Sequence, residues 1–174
     1  KVHPARTRVI IATHEHIDHS NDINALIEAI TLGGINKQGV LISVPSVIEG
    51  SDNEIPWLRN NYKGQLNEIF KVSTGDKVKL GNISITATKT DHDIDDCIGI
   101  RIEGPDTSIG YTSDTIYFKE LHKEFKDVAV LIINVLRPGN DKWKTHMCTE
   151  DAIKLIEEVK PELAIITHFG QKMI

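Results

Sequence analysis

The sequence contains little cysteine: two residues among 174, at Cys97 and Cys148. They lie far apart and lack the paired spacing of structural zinc sites. Such sparse cysteine is typical of proteins that fold in a reducing compartment. We therefore expect a cytoplasmic protein in which both thiols are small buried side chains.

The sequence also lacks long apolar runs and an excess of positive charge. No apolar stretch approaches the roughly 20 residues that a membrane-spanning helix needs, so we expect no membrane association. Lys and Arg number 20 and Asp and Glu number 25, which gives a formal net charge of −5. A broad nucleic-acid-binding surface needs a basic face, so this charge balance disfavours one.

The length of 174 residues suits one domain with a substantial core, and we expect a single domain over residues 1–174. The chain opens at Lys1 without a methionine, and it stops at Ile174 soon after a predicted strand. We expect sequence to be missing at both ends. In that case a sheet edge would be exposed, and pairing with a second copy would give a homo-oligomer.

Histidine is concentrated next to one apolar segment. Residues 8–13 predict a buried strand and residues 21–32 predict a helix, and the turn between them contains His14, His16, Asp18 and His19. Imidazole and carboxylate groups are the usual ligands of zinc, iron and manganese. The alternative is a polar loop that is histidine-rich by chance, but unpartnered polar groups at the end of an apolar strand would be costly. We interpret the turn as a metal site.

The same placement recurs at the ends of three further predicted strands. Thr90 leads to His92, Thr112 to Asp114, and Thr167 to His168. Scattered surface histidines would not repeat this position. Predicted hairpins occupy the middle of the chain and helices flank them, which favours an α/β fold with mixed sheets. Among the less regular segments, residues 46–53 are predicted as a loop, and residues 55–70 and 116–125 as helices.

These motifs, in this order, resemble those of the metallo-β-lactamase superfamily. The pattern His-x-His-x-Asp-His is matched in full at residues 14–19, followed by His92, by Ser-Asp-Thr at 113–115 and by Thr-His-Phe-Gly at 167–170. The resemblance implies an αββα sandwich of two mixed β-sheets flanked by helices. The strands and the aspartate that precede the histidine motif in the family are not matched, which agrees with the expected truncation.

The resemblance also implies a catalytic centre with two divalent metal ions, zinc in the first place and manganese or iron as alternatives. One ion would be held by His14, His16 and His92. The other would be held by Asp18, His19 and His168, and Asp114 would bridge the two. Two such ions lower the pKa of a shared water from about 15.7 towards 7. Asp18 would in addition orient this nucleophile, which makes it a catalytic residue.

His146 indicates the class of substrate. The segment 146–152 resembles the part of the phosphodiesterase branch, including tRNase Z, that places a histidine before a helix. The resemblance implies that His146 contacts the scissile phosphate or assists the leaving group, and a histidine beside a helix N-terminus suits an anion. The alternative is a buried structural histidine. The neighbouring Lys142 and Lys144 either add positive charge or are simply solvated.

One departure from tRNase Z narrows the predicted substrate. That enzyme carries a long arm for gripping tRNA between the lone histidine and the bridging aspartate. Here the segment between His92 and Asp114 is short, and a tight turn at residues 104–106 stands between its two predicted strands, which leaves no room for an arm. We therefore predict a metal-dependent hydrolase, a phosphodiesterase acting on a small-molecule or short phosphodiester. The alternatives are a hydrolase of carboxylic esters, thioesters or lactones on the same metal centre, a flavodiiron-type oxidoreductase, and a catalytically silent metal-binding fragment.

Overall fold

A computed structural model describes residues 4–51 and 55–174 of the chain. The chain divides into two compact units, residues 1–73 and residues 74–174. A single domain over residues 1–174 stays a prediction. Within the described ranges, no helix combines the length and the apolar character needed to cross a membrane.

The first unit contains a parallel three-stranded sheet. Its strands pair in the order β1 (Val9–Ala12), β2 (Val40–Ser43) and β3 (Glu68–Lys71). Its helices are α1 (Ile17–Ser20), α2 (Ile23–Thr31), α3 (Pro45–Glu49) and α4 (Asn60–Lys63), and a 3-10 turn spans Pro4–Arg6. Parallel strands require crossover connections, and these helices lie in them. Of the four apolar residues whose spacing indicates this helix, Ile23, Ile27 and Ile30 are buried in α2, whereas Leu26 is 46% exposed.

Two predictions for the first unit are wrong in detail. In the predicted helix over residues 55–70, only Asn60–Lys63 is helical, and Glu68–Lys71 is a strand whose Ile69 lies opposite Leu41. Pairing with a neighbouring strand outweighs a weak helical pattern, because tertiary context overrides propensity. The predicted loop over residues 46–53 begins inside α3, and its positions 52 and 53 lie outside the described residues. Pro45 opens that helix, since its fixed φ and missing N–H suit the first helical position.

The second unit contains a mixed seven-stranded sheet. Its strands are β4 (Lys77–Leu80), β5 (Ile83–Lys89), β6 (Ile98–Glu103), β7 (Ser108–Tyr111), β8 (Val130–Arg137), β9 (Met147–Cys148) and β10 (Leu163–Thr167). The order is β10-β8-β7-β6-β5-β4, and β9 also pairs with β8. The pairs from β4 to β7 are antiparallel, and β8 pairs in parallel with both β7 and β10.

Two helices complete the second unit: α5 (Leu121–Glu124) and α6 (Thr149–Val159), with a 3-10 turn at Gln171–Met173. α5 covers only part of the helix predicted over residues 116–125. Phe125, Ile133 and Leu155 belong to one core and are fully buried. The predicted α/β class is confirmed, with two sheets accompanied by helices, the first sheet parallel and the second mixed within the described residues.

The outer strand β10 has an unusual surface. It pairs with β8 along one edge, and three of its apolar side chains are exposed, Leu163 to 51%, Ile165 to 42% and Ile166 to 40%. Edge strands with apolar side chains are liable to pair with another chain.

Candidate metal centre

The histidine turn of the first unit follows β1 and places its imidazoles around His14. His14 is fully buried. Its ring centroid lies 4.9 Å from that of His16 and 4.1 Å from that of His19. The Ser20 hydroxyl donates to the His14 carbonyl at 2.6 Å, which ties the end of α1 back to the end of β1. The short helix α1 therefore folds the turn so that the three rings meet.

Asp18 lies on the solvent side of this turn. Its carboxylate is 60% exposed and lies 3.5 Å from His19 Nε2. The ligand atoms of Asp18 and His19 lie within 4.8 Å of each other, and so do those of His14 and His16. The four residues of the motif thus form two neighbouring pairs of donor atoms, one buried and one more exposed.

The second unit brings three more predicted residues together at Asp114. The Asp114 carboxylate is 2% exposed, and its Oδ2 lies 3.2 Å from His146 Nε2 and 3.5 Å from His168 Nε2. The rings of His146 and His168 stack with centroids 5.4 Å apart. One ligand atom of each residue lies within 4.8 Å of the others. A single carboxylate oxygen therefore faces two imidazoles, a donor set that suits a divalent metal ion.

His92 lies on the loop after β5 and has a polar neighbour at each ring nitrogen. Its Nδ1 lies 3.1 Å from the carbonyl of Thr145. Its Nε2 lies 3.1 Å from Asp93 Oδ1, so each ring nitrogen has an oxygen acceptor beside it. Burial lowers the pKa of His92, against the raising effects of the Thr145 hydrogen bond and of Asp93, and this favours the neutral form. A ligand atom of His92 lies within 4.8 Å of one from Asp114.

Thr145 and Asn134 are two residues of this region that the sequence did not reveal. The Thr145 hydroxyl forms a hydrogen bond of 2.8 Å with His146 Nδ1, so Thr145 orients His146 as well as His92. Asn134, on β8 and 2% exposed, donates from Nδ2 to Asp114 Oδ1 at 2.6 Å. A signal for Asn134 does exist in the sequence, because it is the one amide within the apolar run of residues 130–136.

Strained backbone accompanies two of the predicted ligands. His168 has a φ of 63°, and Ser113, directly before Asp114, has a φ of 56°. Non-glycine residues adopt this left-handed conformation at a cost of about 1–3 kcal/mol. Such strain persists where the surroundings fix the backbone, and here it aims the side chains that follow β7 and β10.

The charged and thiol groups near these residues are already engaged. Lys142 donates to Asp151 at 3.0 Å, and this hydrogen bond raises the pKa of Lys142. The Cys97 thiol donates to the Asp114 carbonyl at 3.5 Å, and burial raises its pKa to about 11. The groups of donor atoms that lie close together around these residues consist of histidine and aspartate.

The predicted site residues therefore form two sets. His14, His16, Asp18 and His19 lie together in the first unit, and His92, Asp114, His146 and His168 lie together in the second. Imidazole nitrogens and carboxylate oxygens at these separations fit zinc, manganese or iron. In the second set, Asp114, His146 and His168 form a group that could hold a metal ion.

Known proteins provide an independent comparison. The sequence model for the beta-lactamase superfamily domain matches residues 2–169. The uncharacterized protein MJ1374 of Methanocaldococcus jannaschii is 38% identical over 175 residues, which cover 99% of this chain and 66% of that protein. The chain thus spans a little under two thirds of the length of this curated relative.

Solved structures show the same fold. YhfI of Bacillus subtilis, a metallo-β-lactamase fold protein, superposes with a TM-score of 0.78 at 22% identity, over 94% of this chain and 65% of YhfI. The short form of human tRNase Z superposes with a TM-score of 0.69 at 15% identity, over 99% of this chain and 76% of that enzyme. At these identities the likeness establishes the fold alone. By the match of its sequence, this chain belongs to the beta-lactamase superfamily domain family, within a superfamily of metal-dependent hydrolases.

Proposed function

We propose that this protein is a dinuclear metal-dependent hydrolase that cleaves a phosphodiester in a small or short substrate. The observation that carries the proposal is the cluster at Asp114, whose Oδ2 lies within 3.5 Å of both His146 Nε2 and His168 Nε2. A buried carboxylate oxygen that faces two imidazoles suits a shared metal ligand. Family membership supports the same reading.

The proposed ligands are those that the histidine motif and the later strand ends supply. His14, His16 and His92 would hold one ion, Asp18, His19 and His168 would hold the other, and Asp114 would be shared by the two. When bound, two divalent ions, with zinc as the first candidate, supply a water of lowered pKa and stabilise developing negative charge.

The side chains supply orientation and proton transfer. Asp18, with its exposed carboxylate, accepts a hydrogen bond from the attacking water and aims its lone pair at phosphorus. His146, held at Nδ1 by Thr145, donates a proton from Nε2 to the leaving oxygen. Because an alkoxide is a poor leaving group, this proton matters most for phosphodiesters with unactivated leaving groups.

The central test is hydrolysis of bis(p-nitrophenyl) phosphate by protein loaded with zinc or manganese. We expect turnover in the wild type and a loss of about 100-fold or more in kcat in His16→Ala and in Asp114→Ala, because each removes a proposed ligand. His122→Ala on helix α5 is the matched control and should keep the wild-type rate. Wild-type rates in both ligand variants would overturn the proposal.

A substrate panel separates the proposed reaction from ester, thioester or lactone hydrolysis on the same centre. We expect phosphodiesters to be cleaved with the highest kcat/KM. His146→Ala should lower cleavage of an alkyl phosphodiester more than that of a p-nitrophenyl ester, whose leaving group needs no proton. The reverse order of losses would favour the carboxylic ester reaction.

We also propose a cytoplasmic location, because Cys97 and Cys148 are both free and buried thiols. We further propose that the substrate is a small molecule or a short chain, because the net charge of −5 gives no broad basic surface for nucleic acid.

A further inference from the structure

A cavity of about 370 Å³ in the second unit has no role in the proposed reaction so far. It is lined by Leu136, Arg137, Trp143, Gly170, Gln171 and Lys172. Its lining comes from the end of β8, from the loop before His146 and from the segment after His168. The cavity is thus built from the segments that carry two residues of the Asp114 cluster.

Backbone pairing ties the cavity to the histidines. Trp143 and His146 form an antiparallel bridge, and directly opposed residues in such a pair project to the same face. On the other side, the Gly170 N–H donates to the Leu136 carbonyl at 3.2 Å. A Cβ at Gly170 would lie 2.6 Å from that carbonyl oxygen, so the approach requires glycine. The walls of the cavity are therefore fixed relative to His146 and His168.

An exposed aromatic ring forms part of the lining. Trp143 is 51% exposed, and the Arg137 guanidinium lies 4.6 Å from its ring centroid. A guanidinium over an indole is a favourable cation–π arrangement that holds the ring in place. A large apolar ring that is held in place yet left half in solvent offers a platform for another planar group.

The cavity is also positively charged. Lys172 lies 2.8 Å and Arg137 3.7 Å from the same oxygen of Asp141. Two cations share one carboxylate, which leaves a net positive charge in a chain whose overall charge is −5. An exposed aromatic ring beside a net positive charge suits a ligand that is both planar and anionic.

We propose that this cavity binds the nucleotide side of the scissile phosphodiester. The nucleobase stacks on the exposed indole of Trp143, and the positive charge of Lys172 and Arg137 attracts the attached phosphate. The natural substrate is then a nucleotide-containing diester. This assignment rests on the proposed function for the cleavage step, but binding to the cavity can be tested without turnover.

The binding test uses tryptophan fluorescence. The chain has two tryptophans, so Trp57→Phe leaves Trp143 as the only reporter. We expect AMP to quench this emission saturably, while ribose 5-phosphate, which has no base, leaves it unchanged at the same concentrations. Lys172→Ala in this background should weaken AMP binding several-fold. Lys126→Ala is the matched control, because it removes an exposed lysine near the opposite end of β8. Absence of saturable quenching, or equal effects of both lysine variants, would overturn the cavity assignment.

The kinetic test compares two substrates with the same leaving group, thymidine 5′-p-nitrophenyl phosphate and methyl p-nitrophenyl phosphate. We expect Trp143→Ala to lower the ratio of their kcat/KM values about tenfold, because loss of base stacking affects only the nucleotide. Trp143→Phe, which can still stack, should restore most of the ratio. An unchanged ratio in Trp143→Ala would overturn the assignment.

The two experiments separate the cavity from the reaction. Saturable AMP binding in a protein that cleaves neither substrate would overturn the proposed function and support the cavity. Cleavage of both substrates without AMP binding would do the opposite.

Discussion

Asn134 and Asp114 are joined by a hydrogen bond of 2.6 Å from the amide to carboxylate Oδ1. The same amide donates to the Tyr111 hydroxyl at 3.1 Å. Because Oδ1 is engaged by a neutral donor, Oδ2 is the oxygen left to face His146 and His168. At the scale of single residues, Asn134 is therefore a positioning residue for the proposed bridging ligand.

Replacing Asn134 tests this role. We expect Asn134→Leu, which has a similar size but no donor, to weaken zinc or manganese binding about 10–100-fold, as loss of an outer hydrogen bond to a metal ligand does. Isothermal titration calorimetry of metal-free protein measures this affinity directly. Tyr111→Phe removes the other partner of the amide and should change the affinity much less. Equal metal affinity in Asn134→Leu and the wild type would contradict the role.

Tyr117 gives a pH dependence away from the metal centre. Its hydroxyl donates to the Glu158 carboxylate at 2.8 Å, and burial, followed by this hydrogen bond, raises the pKa of Tyr117 to about 12. An unfolded tyrosine ionises near pH 10. Between about pH 10 and 12 the unfolded chain therefore binds fewer protons than the folded one, so the free energy of unfolding falls as pH rises.

We expect Tyr117→Phe to flatten this fall. The measurement is urea unfolding followed by circular dichroism at several pH values from 8 to 11, with the wild type measured in parallel. Tyr62→Phe in the first unit is the control for the loss of a tyrosine hydroxyl elsewhere in the chain. A Tyr117→Phe profile as steep as that of the wild type above about pH 10 would contradict the account.

Helix α6 ends at a residue whose backbone disfavours its side chain. Lys160 follows the last helical residue with a φ of 56° and a ψ of 52°, and its N–H donates to the Ile156 carbonyl. Glycine adopts this left-handed geometry without the Cβ clash. We expect Lys160→Gly to raise the free energy of unfolding by about 0.5–1 kcal/mol. Thermal or urea unfolding measures the change, and Lys160→Ala, which keeps the clash, should give no gain.

At the scale of elements, the sequence predicts correctly those helices and strands whose apolar residues follow a regular local spacing. The stripe from Ile23 to Ile30 predicted α2, and the four strand ends before His14, His92, Asp114 and His168 were predicted in the right places. The helix predicted over residues 55–70 is wrong, because pairing of Ile69 with Leu41 depends on a strand some 28 residues away, a separation that local periodicity does not detect.

The candidate site likewise contains some residues that the sequence suggests and others that only the structure shows. Residue types that bind metals stand out in a motif, so the sequence alone suggests the histidines and aspartates as candidate ligands. The Thr145 carbonyl and the Asn134 amide contact side chains that lie 53 and 20 residues away, whereas the Thr145 hydroxyl contacts the adjacent His146. Nothing in the spacing of those residues indicates such contacts. The stacking of Arg137 on Trp143 likewise depends on the fold of the loop between them.

On the scale of the whole molecule, β10 leads us to expect self-association. Its apolar side chains Leu163, Ile165 and Ile166 are 40–51% exposed along an outer strand. We expect Ile165→Lys to shift the protein towards the monomer, because a charged side chain blocks strand pairing. Sedimentation velocity over a range of concentrations measures the shift. Ile153→Lys, at another exposed isoleucine, is the control. A wild type that is monomeric at all concentrations would contradict the homo-oligomer.

Strand β8 has neighbours on both sides, β7 and β10, and β9 pairs with its end. The Asn134 N–H adds a hydrogen bond of 3.1 Å to the Thr112 hydroxyl. Amides in such a position exchange with deuterated solvent only when a large part of the structure opens. We therefore expect the N–H of Asn134, which orients the proposed bridging carboxylate, to be among the slowly exchanging amides of its unit. We therefore expect the aspartate to hold its orientation before any ion arrives, so that metal uptake requires little rearrangement around Asp114.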